Sequence, residues 1–319
     1  MPRRRIGFWY RLAAVICKPP LVVLINRDWR GMENIPAADG FITAVNHNSH
    51  ADPFAYAHYQ YNSGRVPRFL AKSGLFKKGF VGTMMRGTGQ IPVHRETTDA
   101  LSAFRSAIDA VERGECVVFY PEGTITRDPD QWPMTGKTGA ARVALQTRCP
   151  VIPVAQWGAN ELLPPYARKL NVLPRKTHHV LAGPPVDLTR FYDREMSPDL
   201  LKEATEVIMA DITRLLEEIR GEKAPATPYD PREERIEQRR RTAAEEAQDA
   251  LDAHERAVAE AAGEGPRARP AAAHEAAVHE AEVHEAEVHE AAVQEEAVRE
   301  AATPEAAHVR EVQEEGQGK

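Results

Sequence analysis

The amino-acid sequence predicts an α/β domain around a central, largely parallel sheet, and three observations predict it. Short apolar, β-branched runs recur up to residue 182, segments with helical periodicity or helix start signals separate them, and the two kinds alternate. Alternation of this sort builds helices onto a sheet of crossover-connected strands.

In chain order, Phe41-Ile42-Thr43-Ala44-Val45 opens a strand over 41–46, and a helix over 52–61 follows it. A strand at 68–72 and a helix at 76–86 come next, then a short strand at 90–93. The helix over 97–113 takes its start signal from Thr97 or Ser102. In it Ala100, Leu101, Phe104, Ile108 and Val111 recur at helical spacing, so one face should be buried. Cys116-Val117-Val118-Phe119-Tyr120 reads as a buried strand. A helix at 137–148, strands at 151–156 and 178–182, and a helix at 198–220 behind Ser197 complete the domain. In open α/β sheets sites gather beyond strand ends. Blocks around His47, Arg95 and Glu122 each lie just after a predicted strand.

Charge divides the chain. Through Lys223 there are 30 Lys and Arg against 23 Asp and Glu, a net of +7, and the remainder carries 11 against 24, a net of −13. Residues 1 to 95 alone hold 14 basic and 4 acidic side chains. A basic surface suits an anionic partner, whether nucleic acid, phosphorylated lipid or a polyphosphate. The flanking sequence favours lipid over nucleic acid. Met1-Pro2-Arg3-Arg4-Arg5 precedes Phe8-Trp9-Tyr10, and apolar runs Leu12 to Cys17 and Leu21 to Ile25 are split by Lys18-Pro19-Pro20. Neither run nears the roughly 20 apolar residues of a membrane span, and no small-residue cleavage site marks a secretory signal. Residues 6 to 27 therefore read as short interfacial helices in the headgroup layer, the plainer alternative being an amphipathic helix packed on the domain. The expected division is 1–30 anchor, 31–223 α/β domain and 224–319 acidic low-complexity tail.

The tail opens at Ala224-Pro225-Ala226-Thr227-Pro228 and repeats around His274, His279, His284 and His289. A five-residue period advances each histidine about 140° around a helix, so no stripe and no apolar face forms. A disordered or transiently helical segment is expected, with a partner-binding coiled coil as the sharper alternative. Cys17, Cys116 and Cys149 are too few and too apolar in setting for a disulfide framework, and none has metal-site spacing.

The chemistry concentrates in Asn46-His47-Asn48-Ser49-His50-Ala51-Asp52. A histidine accepts a proton near neutral pH, and a carboxylate beside it fixes the tautomer and balances the imidazolium. The pair suits deprotonation of a substrate hydroxyl. Alone, the pattern also fits a strand end followed by a helix cap at Asp52. His50 and His58 invite a metal site with His47 and Asp52, but nothing in the pattern requires one. His178-His179 reads as surface or core. Lys137 in Gly136-Lys137-Thr138-Gly139 has the look of a P-loop ending without the upstream glycine or strand, which excludes a nucleotide hydrolase.

Further blocks follow at Gly89-Gln90-Ile91-Pro92-Val93-His94-Arg95, at Val117 through Thr124 with Pro121-Glu122-Gly123-Thr124, and at Val151-Ile152-Pro153-Val154. In order and spacing these resemble the glycerophospholipid acyltransferase family, most closely PlsC-type 1-acylglycerol-3-phosphate acyltransferases, over residues 8 to 220. Ala71-Lys72-Ser73-Gly74 shares the resemblance. It implies the glycerolipid acyltransferase fold, lipid contact by the N-terminal helices, and transfer of an acyl chain from coenzyme A or acyl carrier protein to a lysophospholipid. No cofactor and no metal are implied. His47 would be the base and Asp52 its orienter, with Arg95, Glu122, Gly123 and Thr124 binding the acceptor's phosphate and glycerol. Asn46, Lys72, Gly89, Arg127 and Lys137 are secondary candidates. The chain departs from the family pattern where an arginine follows the glycine-threonine pair: Ile125 stands there, and Arg127 matches a second arginine two places on.

Overall fold

A computed structural model describes residues 6–93, 100–167 and 169–261. Its strands are β1 (Ile25–Arg30), β2 (Phe41–Val45), β3 (Pro67–Lys72), β4 (Ile91–Val93), β5 (Cys116–Phe119), β6 (Val151–Trp157) and β7 (Lys176–Ala182). They form one sheet in the order β1-β7-β6-β2-β5-β3-β4. The centre is parallel, as expected, while β6 and β7 pair antiparallel and β1 joins β7 in parallel.

Successive side chains of the central strands enter opposite cores, as the pleat requires. Ile42 and Ala44 of β2, with Val117 and Phe119 of β5, belong to one cluster; Phe41 and Val45, with Cys116 and Val118, belong to the other. Three helices cover the first face: α4 (Ala100–Glu112), α5 (Gly139–Thr147) and α7 (Pro198–Arg220). Tyr56 and Tyr59 of α2 (Asp52–Asn62) cover the second. The α7 helix begins where expected, its Ser197 hydroxyl accepting from the Leu200 N–H at 3.1 Å. On α4 the deepest residues are Ala103, Ala107 and Ala110, with Phe104 and Ile108 at the margin; the expected start at Thr97 lies outside the described residues.

The N-terminal expectation needs correction. Phe8–Leu24 is one continuous helix, α1, running through Pro19 and Pro20. The missing proline N–H groups orphan the carbonyls of Val15 and Ile16, but both residues are exposed, so solvent can satisfy them. Residues 25–30, expected in the anchor, are the edge strand β1. Among the described residues no helix is long and apolar enough to cross a membrane. Exposed Phe8, Val15 and Val23 nonetheless leave α1 an uncovered apolar side.

Two short elements, α3 (Phe80–Gly87) and α6 (Ala159–Leu162), complete residues 6–230. The chain divides into units 1–230 and 231–319, a little beyond the expected boundary at 223. Within the second, residues Pro231–Ala261 form the 31-residue helix α8, where no stable helix was expected. The histidine repeat lies outside the described residues.

Candidate active site

Strands β2 and β5 are adjacent and parallel, with Ala44 opposite Phe119. Their carboxyl ends therefore release the His47 loop and the Glu122 loop side by side. Asp52 is buried at the start of α2. Its Oδ2 accepts from the backbone N–H of Asn48 at 2.6 Å and of Ser49 at 2.7 Å, and lies 2.9 Å from His47 Nδ1. An acceptor-only oxygen assigns the proton to Nδ1 and leaves Nε2 as the basic nitrogen. The cap reading of Asp52 fails: the N-cap is Ala51, no side chain caps the helix, and the Asp52 carboxylate instead holds the preceding loop and the His47 imidazole. The Tyr120 ring stacks on His47 at 4.3 Å between centroids.

Glu122 does not take the expected part of a pocket ligand. Its Oε1 accepts from the His47 N–H at 2.8 Å and its Oε2 from the Met134 N–H at 3.1 Å, so it stitches the histidine loop to the segment after β5. Burial pushes this carboxyl up to about 8, against the lowering effect of the two N–H donors. The Thr126 N–H returns a bond to the His47 carbonyl at 2.8 Å.

His47 opens onto a cavity of about 930 Å³ between the sheet ends, α1 and α2. Gly123, Thr124, Lys72 and Lys137 stand on its wall, as do His50 and Tyr166. Gly123 has φ +71°, and a Cβ there would sit 2.8 Å from Lys137 Cε and Nζ, so glycine lets the lysine lie against the loop. The remainder of the wall is mostly apolar, with Ala13, Leu21, Phe54 and Met85 along one side.

The secondary candidates separate. Asn46 is fully buried and bonded to β6, while Gly89 turns the chain around the Arg68 guanidinium, which a Cβ would overlap at 1.6 Å. Neither lines the cavity, nor does Arg127, whose N–H points to the Met134 sulfur at 3.2 Å. Arg95 and His94 lie outside the described residues. His50 and His58 do not gather around His47 as ligands would: among the described residues no three His, Cys, Asp or Glu side chains converge to hold a metal. His58 is buried edge-on against Trp29, and burial holds it down at about 4. Sequence reasoning missed Gln156, a polar residue inside an apolar strand run, and left His178 undecided.

Residues 26–157 match the family model described as Acyltransferase. A chloroplastic 1-acyl-sn-glycerol-3-phosphate acyltransferase of Brassica napus is 27% identical over 164 residues, 51% of this chain and 46% of that protein. The enzyme of the same title from Bacillus subtilis is 30% identical over 129 residues, 40% of this chain and 60% of the relative. This chain thus spans about half the length of the curated relatives it matches. The fold is shared with the crystal structure of PlsC, a 1-acyl-sn-glycerophosphate acyltransferase from Thermotoga maritima, at TM-score 0.50 and 24% identity, covering 67% of this chain and 81% of that one. Over residues 26–157 the chain is thus similar to the acyltransferase family. The curated relatives it matches are 1-acyl-sn-glycerol-3-phosphate acyltransferases.

Proposed function

We propose that this chain transfers a fatty acyl group from an acyl thioester, on coenzyme A or acyl carrier protein, to the free sn-2 hydroxyl of lysophosphatidic acid, giving phosphatidic acid for phospholipid biosynthesis. One observation carries the reading: an imidazole with Nδ1 fixed on a buried carboxylate stands on the wall of a largely apolar cavity. The cavity's volume is in the range of ligand sites.

In this reading Nε2 of His47 takes the hydroxyl proton as the oxygen attacks the thioester carbonyl. The tetrahedral oxyanion collapses by breaking the carbon–sulfur bond, and the departing thiolate recovers the proton from the imidazolium, so the base is regenerated. Asp52 holds Nδ1 and balances the transient charge. Lys72, Lys137, Thr124 and the Gly123 backbone are the cavity groups suited to an acceptor phosphate, and Arg95 joins them by its motif. The uncovered side of α1 and the +10 balance of residues 1–95 support peripheral or monotopic attachment to the anionic cytoplasmic face of a membrane.

A second reading keeps acyl transfer and changes the acceptor to another lysophospholipid or a glycolipid. Ile125 favours it: the side chain is 3% exposed and on the cavity wall, where the family pattern has an arginine. A non-catalytic lipid-binding scaffold is disfavoured by the intact His47–Asp52 pair. Purified protein in mixed micelles, given acyl-CoA and a panel of lysolipids, separates the three. Acylation of lysophosphatidic acid that disappears in His47→Ala supports the first; acylation of another acceptor alone supports the second; equal activity in parent and variant refutes both.

A further inference from the structure

The geometry points to His178 and Gln156 as positioning residues for the His47 loop, acting through a one-way chain of hydrogen bonds that begins at Trp29 on the edge strand. The Trp29 indole N–H reaches His178 Nδ1 at 3.4 Å. An indole nitrogen only donates, so Nδ1 must accept and the histidine proton must sit on Nε2. That nitrogen faces Gln156 Oε1 at 3.3 Å. With its oxygen so engaged, Gln156 directs its amide nitrogen at the Asn46 carbonyl, 3.0 Å away.

Backbone and side chain then interlock. The Gln156 N–H donates to Asn46 Oδ1 at 2.7 Å, and Asn46 Nδ2 returns to the Gln156 carbonyl at 3.0 Å. The second Nδ2 hydrogen goes to Asn48 Oδ1 at 2.9 Å, and Asn48 Nδ2 goes to the Gln131 carbonyl at 3.0 Å. Asn46 and Asn48 are the two neighbours of His47, so the chain fixes the backbone on both sides of the base. Asn46, Asn48, Gln156 and His178 are all at most 2% exposed. The donor-only start fixes the His178 tautomer and the Gln156 amide orientation, and the Gln156 backbone N–H and C=O fix that of Asn46; reversing any one leaves two donors or two acceptors facing each other in a dry interior. Burial keeps His178 in the neutral form this direction needs.

The inference rests on the proposed reaction only for its kinetic readout. His178→Gln keeps a donor for Gln156 and an acceptor for Trp29; His178→Leu keeps neither. With 15N-labelled histidine, the Nδ1-bound proton signal of His47 should persist in the glutamine variant and broaden or vanish in the leucine variant. Turnover should fall about tenfold to a hundredfold in His178→Leu, with KM within about twofold of the parent, and recover in His178→Gln, as misplacement of a catalytic group implies. Trp29→Phe removes only the N–H and serves if the leucine variant does not fold; it should weaken the same signal and rate. A folded His178→Leu or Trp29→Phe with parental signal and rate overturns the inference, as does a glutamine variant as impaired as the leucine one. If the parent acylates no lysolipid, the proposed function fails while the His47 signal still decides this one.

Discussion

Replacing Glu122 with glutamine tests how the loops around His47 are held together. The glutamate is 2% exposed and gives one oxygen to the His47 N–H and the other to the Met134 N–H. Glutamine preserves the shape but offers one oxygen and one amino group, so one of those N–H groups must face a donor. An unsatisfied buried N–H costs about 1–3 kcal/mol, a melting decrease of about 2–12 °C at roughly 2–4 °C per kcal/mol for a unit of this size. The gap should depend on pH. Because the folded-state value of about 8 lies above the ordinary 4.5, the folded chain retains a proton there that the unfolded chain has lost. Glu122's contribution is therefore full below about 4.5 and is lost as pH rises through about 8. At 1.36 kcal/mol per pH unit the upper bound on that loss is about 5 kcal/mol. Glutamine does not titrate, so the difference between parent and variant isolates this one group. Denaturant unfolding in mild detergent from pH 5 to 9 should show the parent ahead near pH 5 and its lead shrinking towards pH 9. A lead that is constant or grows with pH would refute the reasoning.

Asp52→Asn should lower the acylation rate by about 10²–10⁴, the usual scale of acid–base catalysis, with circular dichroism unchanged; a loss under fivefold would remove Asp52 from the mechanism. Arg220→Ala should cost about 2–3 kcal/mol in unfolding measurements, because the guanidinium lies 4.0 and 4.6 Å from the rings of Trp132 and Trp157 and donates to the Asp130 carbonyl at 2.7 Å. A variant as stable as the parent would show that the sandwich contributes nothing. Val15→Glu with Val23→Glu, both about 70% exposed on α1, should reduce co-flotation with anionic vesicles several-fold without shifting the melting temperature, and undiminished flotation would count against α1 as the attachment site.

What the sequence made legible was local. The His47–Asp52 pair could be read because a strand end, a polar loop and a helix start are contiguous, and Ser197 could be read as a cap because its partner is Leu200. The α/β alternation was likewise visible in runs of four to seven residues. Edge strand β1 was not, because Asn26, Arg27, Asp28 and Arg30 give it the composition of a solvated segment, and only pairing with β7 makes it a strand. Helix α8 was unread because none of its residues with a described side chain is buried.

Glu122 shows the limit most clearly. Its motif marked it as important, yet its partners are backbone N–H groups, one of them 75 residues away, and a backbone donor leaves no trace in the sequence. The same holds for Gln156, whose partner Asn46 is 110 residues distant. Both did leave a weak signal, a polar side chain next to or inside an apolar strand run. A buried polar group must find partners, and at the carboxyl end of a central strand those partners are the loops that carry the chemistry. A glutamine interrupting a core strand near its carboxyl end therefore points towards the candidate site even when it does not line the cavity.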